Sequence, residues 1–296
     1  MKVRIGIGGT VASAAALQPV VDGIGEFGFD SIWCSEVLTA PNLDPTVALS
    51  WAAARDPKLK LGTTMLLPGR NIMRLAKQLS SLDSLSAGRL LVTFVPGIHR
   101  SPETEAIGMP VQRRRAAIDE ALPLLRRLLA GETVSHDGAV ASLAGVTLDP
   151  LPVQQPLEFW LGGMARRSLE LCGRAGDGWL PSLCTPAQAA AGREIVDAAA
   201  ASAGRAISPE HFGVSIGYSR EPISDRARQR LASRSAATAA ADIDQLAPIG
   251  LPAVRRLLED FVAVGFSKFV LRPLTPPDDW HTELGTLAAA VGDLQT

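Results

Sequence analysis

Cysteine is scarce in this chain. Cys34, Cys172 and Cys184 make an odd number, and their spacing matches neither a disulfide framework nor a zinc site. Reduced, buried thiols are the expectation, and with them a cytoplasmic setting. Histidine is sparse too. His99, His136, His211 and His281 are scattered, with no HxH or HExxH spacing, so no metal centre is expected. An excess of one charge is also lacking. Lys and Arg number 29 against 30 Asp and Glu, a net charge of −1, so no global field recruits nucleic acid or an anionic membrane. The longest basic run is Arg113-Arg114-Arg115, at an expected helix start. No apolar run approaches the roughly 18 residues of a membrane span. Lys2 and Arg4 precede an Ala-rich stretch that imitates a signal peptide. Gly6, Gly8 and Gly9 interrupt it, however, and its pattern continues into Asp22 and Glu26. A first strand and first helix are read there, and no export.

What is present is apolar residue in quantity. With 296 residues, 47% of them apolar, the chain can enclose a large core, either as one barrel-sized domain or as two small ones. Short apolar runs alternate with helical patterns. Strands are expected at Val3–Ile7, Phe29–Cys34, Leu59–Met65, Leu90–Val95, Phe159–Leu161, Gly178–Leu180, Phe212–Gly217 and Phe269–Arg272. Asp44 and Pro45 suit the start of one helix, and Gly88 the end of another. Residues 132–156 break the rhythm, and Asp137-Gly138 is a hairpin turn signal. This stretch is read as an insertion. Residues 221–250 are rich in Ala, Ser and Arg and are read as a helical excursion or lid.

Strands separated by helix-length connections point to a parallel sheet. Eight such units in one chain of this length fit a (β/α)8 barrel, here a single domain over residues 1–296. A doubly wound sheet is the alternative, but no GxGxxG follows the first strand. In a barrel, function gathers at the C-terminal strand ends. Those ends read Gly8-Gly9-Thr10, Ser35-Glu36, Thr63-Thr64-Met65, Val95-Pro96-Gly97 leading on to Glu103, Gly162-Gly163 and Pro181-Ser182. Small and apolar residues with two acids suit a flat apolar ring carrying a phosphate. No strand ends in Lys, which argues against Schiff-base chemistry.

Leu157 to Ser182 organises this picture. A short strand runs into Gly162-Gly163, and a helix patterned on Leu169, Leu171 and Cys172 follows. Glycines let a ligand approach the backbone closely, and the N-terminus of a helix favours an anion such as phosphate. A plain turn is the other reading of the same residues.

The larger wording carries a resemblance. "GFDSIWCSE" resembles the strand-two motif of bacterial-luciferase-like oxidoreductases, whose form is GFD.xW.SEH. "LKLGTTMLLPGRNIMRLAKQLSSLDSLSAGRLLVTFVPG" resembles that family's strand-helix-strand block. "ETEAIGMPVQRRRAAIDEALPLLRRLL" resembles its "E...xG.....R.....E" helix. The Leu148–Ser182 block and "VGFSKFVLRP" extend the likeness over nearly the whole chain.

This resemblance implies a TIM barrel with coenzyme F-420, or alternatively FMN, at its C-terminal mouth. The leucine-rich strand-three wording is closest to the branch that uses F-420. The ring would rest near Ser35, Thr64, Met65, Pro96 and Gly97, on a bulge often marked by a non-proline cis peptide near Thr64-Met65. The phosphate would sit on Gly162, Gly163, Met164 and Ala165. The partner implied is a small organic substrate, with a homodimer built on helices near strands two and three. Where the family reads His, this chain has Val37 after Glu36, so proton donation passes to the acids Glu36 and Glu103. A buried apolar mouth would make either a usable general acid. The bland reading is that Glu36 orients loops and Glu103 caps a turn. His99 faces substrate or solvent, Trp33 and Trp179 stack on the ring or pack the core, and Arg70, Arg74 and Lys77 hold an acidic tail or form a solvated face. The activity implied is hydride transfer from reduced F-420. An FMN-dependent monooxygenase and a barrel without turnover are the alternatives.

Overall fold

The computed structural model describes residues 1–97, 103–232 and 243–296. Among these, the strands are β1 (Arg4–Gly8), β2 (Ser31–Ser35), β3 (Lys60–Leu66), β4 (Leu90–Val95), β5 (Val134–Asp137), β6 (Ser142–Val146), β7 (Phe159–Leu161), β8 (Gly178–Trp179), β9 (Gly213–Tyr218) and β10 (Lys268–Pro273). The helices are α1 (Ala14–Glu26), α2 (Pro45–Arg55), α3 (Ile72–Leu85), α4 (Glu103–Ala106), α5 (Val111–Leu129), α6 (Arg166–Ala175), α7 (Pro186–Ser202), α8 (Asp225–Ala232), α9 (Ile243–Leu246), α10 (Leu251–Ala263) and α11 (Trp280–Val291).

Eight parallel strands follow the order β8-β7-β4-β3-β2-β1-β10-β9. Parallel bridges Trp179↔Phe212 and Ser182↔Ser215 join the two outer strands, and the Ser215 N–H donates to Pro181 O at 2.9 Å. The sheet therefore closes on itself as a (β/α)8 barrel with its helices outside. The separate antiparallel pair β5–β6 turns where Asp137-Gly138 stands, and Gly138 N–H donates to Ala141 O. That hairpin is anchored to α5 by Glu120, which accepts from Val140 N at 3.1 Å and pairs with His136.

Local chemistry sets the helix ends. Asp44 accepts from the Thr46 and Val47 amides ahead of Pro45, Asn71 accepts from Arg74 N, and Thr185 with Gln188 forms a capping box. Gly88, at φ +78°, stops the chain after α3, where a side chain would be strained. At β9, the Tyr218 hydroxyl donates to buried Glu283 of α11 at 2.6 Å.

Two apolar clusters form, on opposite faces of the strands. The larger fills the space between sheet and helices, and includes Ile5, Leu61, Met65, Phe94 and Phe159. The smaller joins Trp33 of β2, Leu91 of β4, Trp160 of β7 and Val270 of β10 with Leu180, just past β8. Only the barrel interior lets those five meet. Glycine makes the space for the indoles. A Cβ on Gly62 would lie 2.2 Å from the Trp33 ring, and one on Gly178 would lie 2.4 Å from Trp160. Bulky residues thus fill the lower barrel, and the core is closed beneath the C-terminal mouth.

Candidate active site at the barrel mouth

Strand alternation decides what stands above this plug. Two residues beyond Gly6, Trp33, Gly62, Leu91, Trp160 and Val270 come Gly8, Ser35, Thr64, Thr93, Gly162 and Arg272. Register brings several together: Ser35 pairs with Thr64, Thr64 with Thr93, and Thr93 with Trp160. Ser215 joins the layer from β9, accepting from the Arg272 Nε–H at 2.9 Å. The floor of the mouth is therefore small and hydroxyl-bearing except at Arg272, whose guanidinium is held against Ser215. The Thr93 hydroxyl is fully buried and has no hydrogen-bond partner among the described residues. An orphaned buried hydroxyl of this kind is a place for a ligand or water to satisfy.

The walls come from the strand-end loops. The Glu36 side chain points away from the interior. It accepts from Leu66 N at 2.8 Å and pairs with Arg70, whose Nε–H donates to Leu66 O. Glu36 thereby ties the end of β2 to the loop after β3. Glu103 is buried at the start of α4. It accepts from Leu38 N at 2.9 Å, from Thr39 N at 3.2 Å and from Thr39 Oγ1 at 2.7 Å. All three bonds place the hydrogen on the partner, so the carboxylate is an acceptor that pins residues 38 and 39. Arg114 is 1% exposed and donates to Pro96 O, Thr104 O and Met109 O. Burial pushes its guanidinium below the ordinary arginine value, and the Glu103 charge opposes that shift. Gly97 sits against Arg114, Leu66 and Ile107 at φ +80°, and a Cβ there would lie 2.7 Å from Ile107.

On the opposite wall, β7 ends in Gly162-Gly163. A Cβ on Gly162 would lie 2.7 Å from Val95 and 3.3 Å from Leu180 O. Gly163 has φ +107°, a region that L side chains enter with strain. Helix α6 then starts at Arg166 with Ala165 as its cap residue and no side-chain cap. Its first amides are left for solvent or an anion. The residues fit a phosphate: a side-chain-free cradle lies beside an uncapped helix start.

Several expectations change in the folded chain. The peptide bonds before Pro150 and Pro156 are the cis bonds among the described residues, and Thr64–Met65 is not one of them. Strand β3 instead continues in register to Leu66↔Val95, which keeps its backbone extended. The Met65 side chain is fully buried in the sheet–helix cluster rather than in the mouth. Trp33 belongs to the interior plug, and Trp179 packs outside the barrel against Phe266. Arg70 is engaged by Glu36, and Lys77 donates to Asp149 O. His99 lies outside the described residues, as does the middle of the segment 221–250, which is helical over Asp225–Ala232 and Ile243–Leu246.

A family model described as luciferase-like monooxygenase matches residues 3–261. The chain belongs to the luciferase-like monooxygenase family. The 5,10-methylenetetrahydromethanopterin reductase of Methanolobus tindarius is 28% identical over 179 residues, 60% of this chain and 53% of that protein. An F-420-dependent glucose-6-phosphate dehydrogenase of Beutenbergia cavernae is 31% identical over 179 residues, 57% of this chain and 51% of that protein. The chain spans about half the length of these curated relatives. Among solved structures, the coenzyme F-420-dependent tetrahydromethanopterin reductase of Methanopyrus kandleri superposes over the whole of both chains, with a TM-score of 0.82 and 17% identity. Monooxygenase RslO1 of Streptomyces bottropensis gives a TM-score of 0.78 at 24% identity, covering 98% of this chain and 99% of that one. These two show the fold.

In this luciferase-like barrel, sequence reasoning missed Arg114. It is one of three arginines at a helix start, read there only as the longest basic run. The signal lay in the motif "E...xG.....R.....E", whose letters fall on Glu103, Gly108, Arg114 and Glu120. Three of these organise the mouth loops or the hairpin.

Proposed function

We propose that this chain is an oxidoreductase that uses reduced coenzyme F-420 to reduce a small organic substrate held in the barrel mouth. The observation that carries the reading is the Gly162-Gly163 turn leading into the uncapped start of α6 beside a floor of small residues. Curated relatives named as F-420-dependent glucose-6-phosphate dehydrogenases support F-420 over FMN. When bound, the deazaflavin supplies a hydride from its central ring. Gly162 and Gly163 would let the phosphate reach the backbone, and the amides of Met164 and Ala165 would donate to it. Ser35, Thr64, Pro96, Gly97 and the backbone of Met65 border the ring side of the mouth. The hydrogen-bond pattern of Glu36 and Glu103 favours positioning: one holds the loop after β3, the other the loop after β2. The closed apolar plug below excludes water from that side.

The barrel, with its 132–156 insertion, is proposed to act as one domain. The three cysteines are free and buried, in keeping with a cytoplasmic enzyme. No helix among the described residues is long and apolar enough to cross a membrane. Val47 of α2 and Leu85 of α3 are 64% and 72% exposed and flank one groove, which supports a homodimer through this face.

The test is a fluorescence titration of the purified protein with F-420 and, separately, with FMN. Micromolar binding of F-420 alone is expected. FMN binding, with oxygen consumption by the reduced form, would move the chain to the monooxygenase reading. Binding of neither would leave a barrel without turnover.

A further inference from the structure

The turn at Gly163 is held from behind. The indole Nε1–H of Trp179 donates to Gly163 O at 3.1 Å. Trp179 is fully buried in the layer between sheet and helices, with Phe266 at 5.8 Å between ring centroids. Its far edge lies against Gly192 of α7, where a Cβ would come within 2.5 Å of the ring. The indole therefore has little room to turn, and its N–H is a fixed donor.

This bond orients more than one oxygen. The Gly163–Met164 peptide is not among the cis bonds, and a trans peptide is planar with its C=O and N–H pointing in opposite directions. Fixing Gly163 O towards the indole, in the helix layer, therefore aims the Met164 N–H the other way, towards the mouth. Glycine at φ +107° would otherwise move freely, since it has no Cβ to restrict it.

We propose that Trp179 is a positioning residue that aims the Met164 amide at the phosphate of the bound cofactor. This rests on the phosphate reading given above. The role is specific to the phosphate, because the ring side of the mouth, at Ser35, Thr64, Met65, Pro96 and Gly97, is built on β2, β3 and β4. Trp179 touches no ligand itself.

The experiment compares two ligands, F-420 and its phosphate-free deazariboflavin chromophore, on wild type and on Trp179→Phe. The wild type is expected to bind F-420 more tightly than the chromophore. Trp179→Phe keeps the ring and removes the donor. It is expected to weaken F-420 by about tenfold, the effect of one lost hydrogen bond, and to leave chromophore affinity within about twofold. A merely structural role would weaken both equally. Equal loss for both ligands, or an unchanged preference, overturns the role of Trp179. A wild type that fails to prefer F-420, or binds neither ligand, overturns the phosphate reading and this inference with it.

A second measurement needs no folded variant. In a ¹H–¹⁵N spectrum of the wild type, the Trp179 indole cross-peak is expected to shift as inorganic phosphate is added, while the Trp51 indole peak stays in place. An unmoved Trp179 peak at saturating phosphate overturns the inference.

Discussion

Replacing Glu103 by Gln separates two roles for that acid. In the structure both carboxylate oxygens accept, taking Leu38 N–H, Thr39 N–H and the Thr39 hydroxyl. An amide keeps one accepting oxygen and sets an NH2 group against the other donors. The Thr39 hydroxyl can rotate to accept, but the Thr39 N–H cannot. One charge-assisted bond is lost and another weakened. Such bonds contribute about 1.5–3 kcal/mol each. Because residues 38 and 39 are exposed, a net loss of about 2 kcal/mol is the working figure. At roughly 2–4 °C per kcal/mol for a chain of this size, Tm falls by about 4–8 °C. Scanning calorimetry at pH 7 reads this directly. Thr39→Val should cost about 1 kcal/mol, and the double variant should show coupling of about 1 kcal/mol, because the two side chains share a bond. A proton donor would behave otherwise: turnover would drop by about 10²–10⁴ with Tm unchanged. An unshifted Tm, with no coupling to Thr39, would refute the clamp.

Other outcomes follow from burial and charge. Burial pushes the thiols of Cys34, Cys172 and Cys184 up to about 12, so a thiol reagent at pH 8 should label none in the native protein and all three after denaturation. Labelling of the folded chain at a stoichiometric rate would contradict this packing. The His136 hydrogen bond, helped by the Val140 amide, holds the Glu120 carboxyl below its ordinary 4.5. A lowered acid contributes stability that is complete above 4.5 and lost as pH falls through the folded value. Glu120→Gln should therefore narrow the gap to wild type in denaturant melts below about pH 4, and a gap that widens there reverses the sign. Gly62→Ala places a Cβ 2.2 Å from Trp33, and should destabilise by about 1–3 kcal/mol and alter the near-ultraviolet dichroism of tryptophan. A neutral effect would mean the plug is loosely packed.

Much of this is legible in the sequence. The Gly162-Gly163 turn could be read because a short apolar run, two glycines and a helical pattern are all local. The barrel followed from counting strands and helix-length connections. Roles that depend on reach were hidden. Glu103 was placed at the mouth, yet its partners stand 64 and 65 residues earlier in the chain. Arg114 turns inward while its two neighbours do not, and composition cannot distinguish the three. Trp33 and Trp179 needed the strand bounds: with period two and a known register, one falls inside the barrel and the other outside. The cis peptide near Thr64 came from likeness, not from these residues, and β3 runs straight through it.

The plug of Trp33, Leu91, Trp160, Leu180 and Val270 has a kinetic consequence. A vessel closed at the bottom has one door. Whatever binds in the mouth must enter and leave past the loops at the C-terminal strand ends, so changes in those loops act on arrival and departure alike.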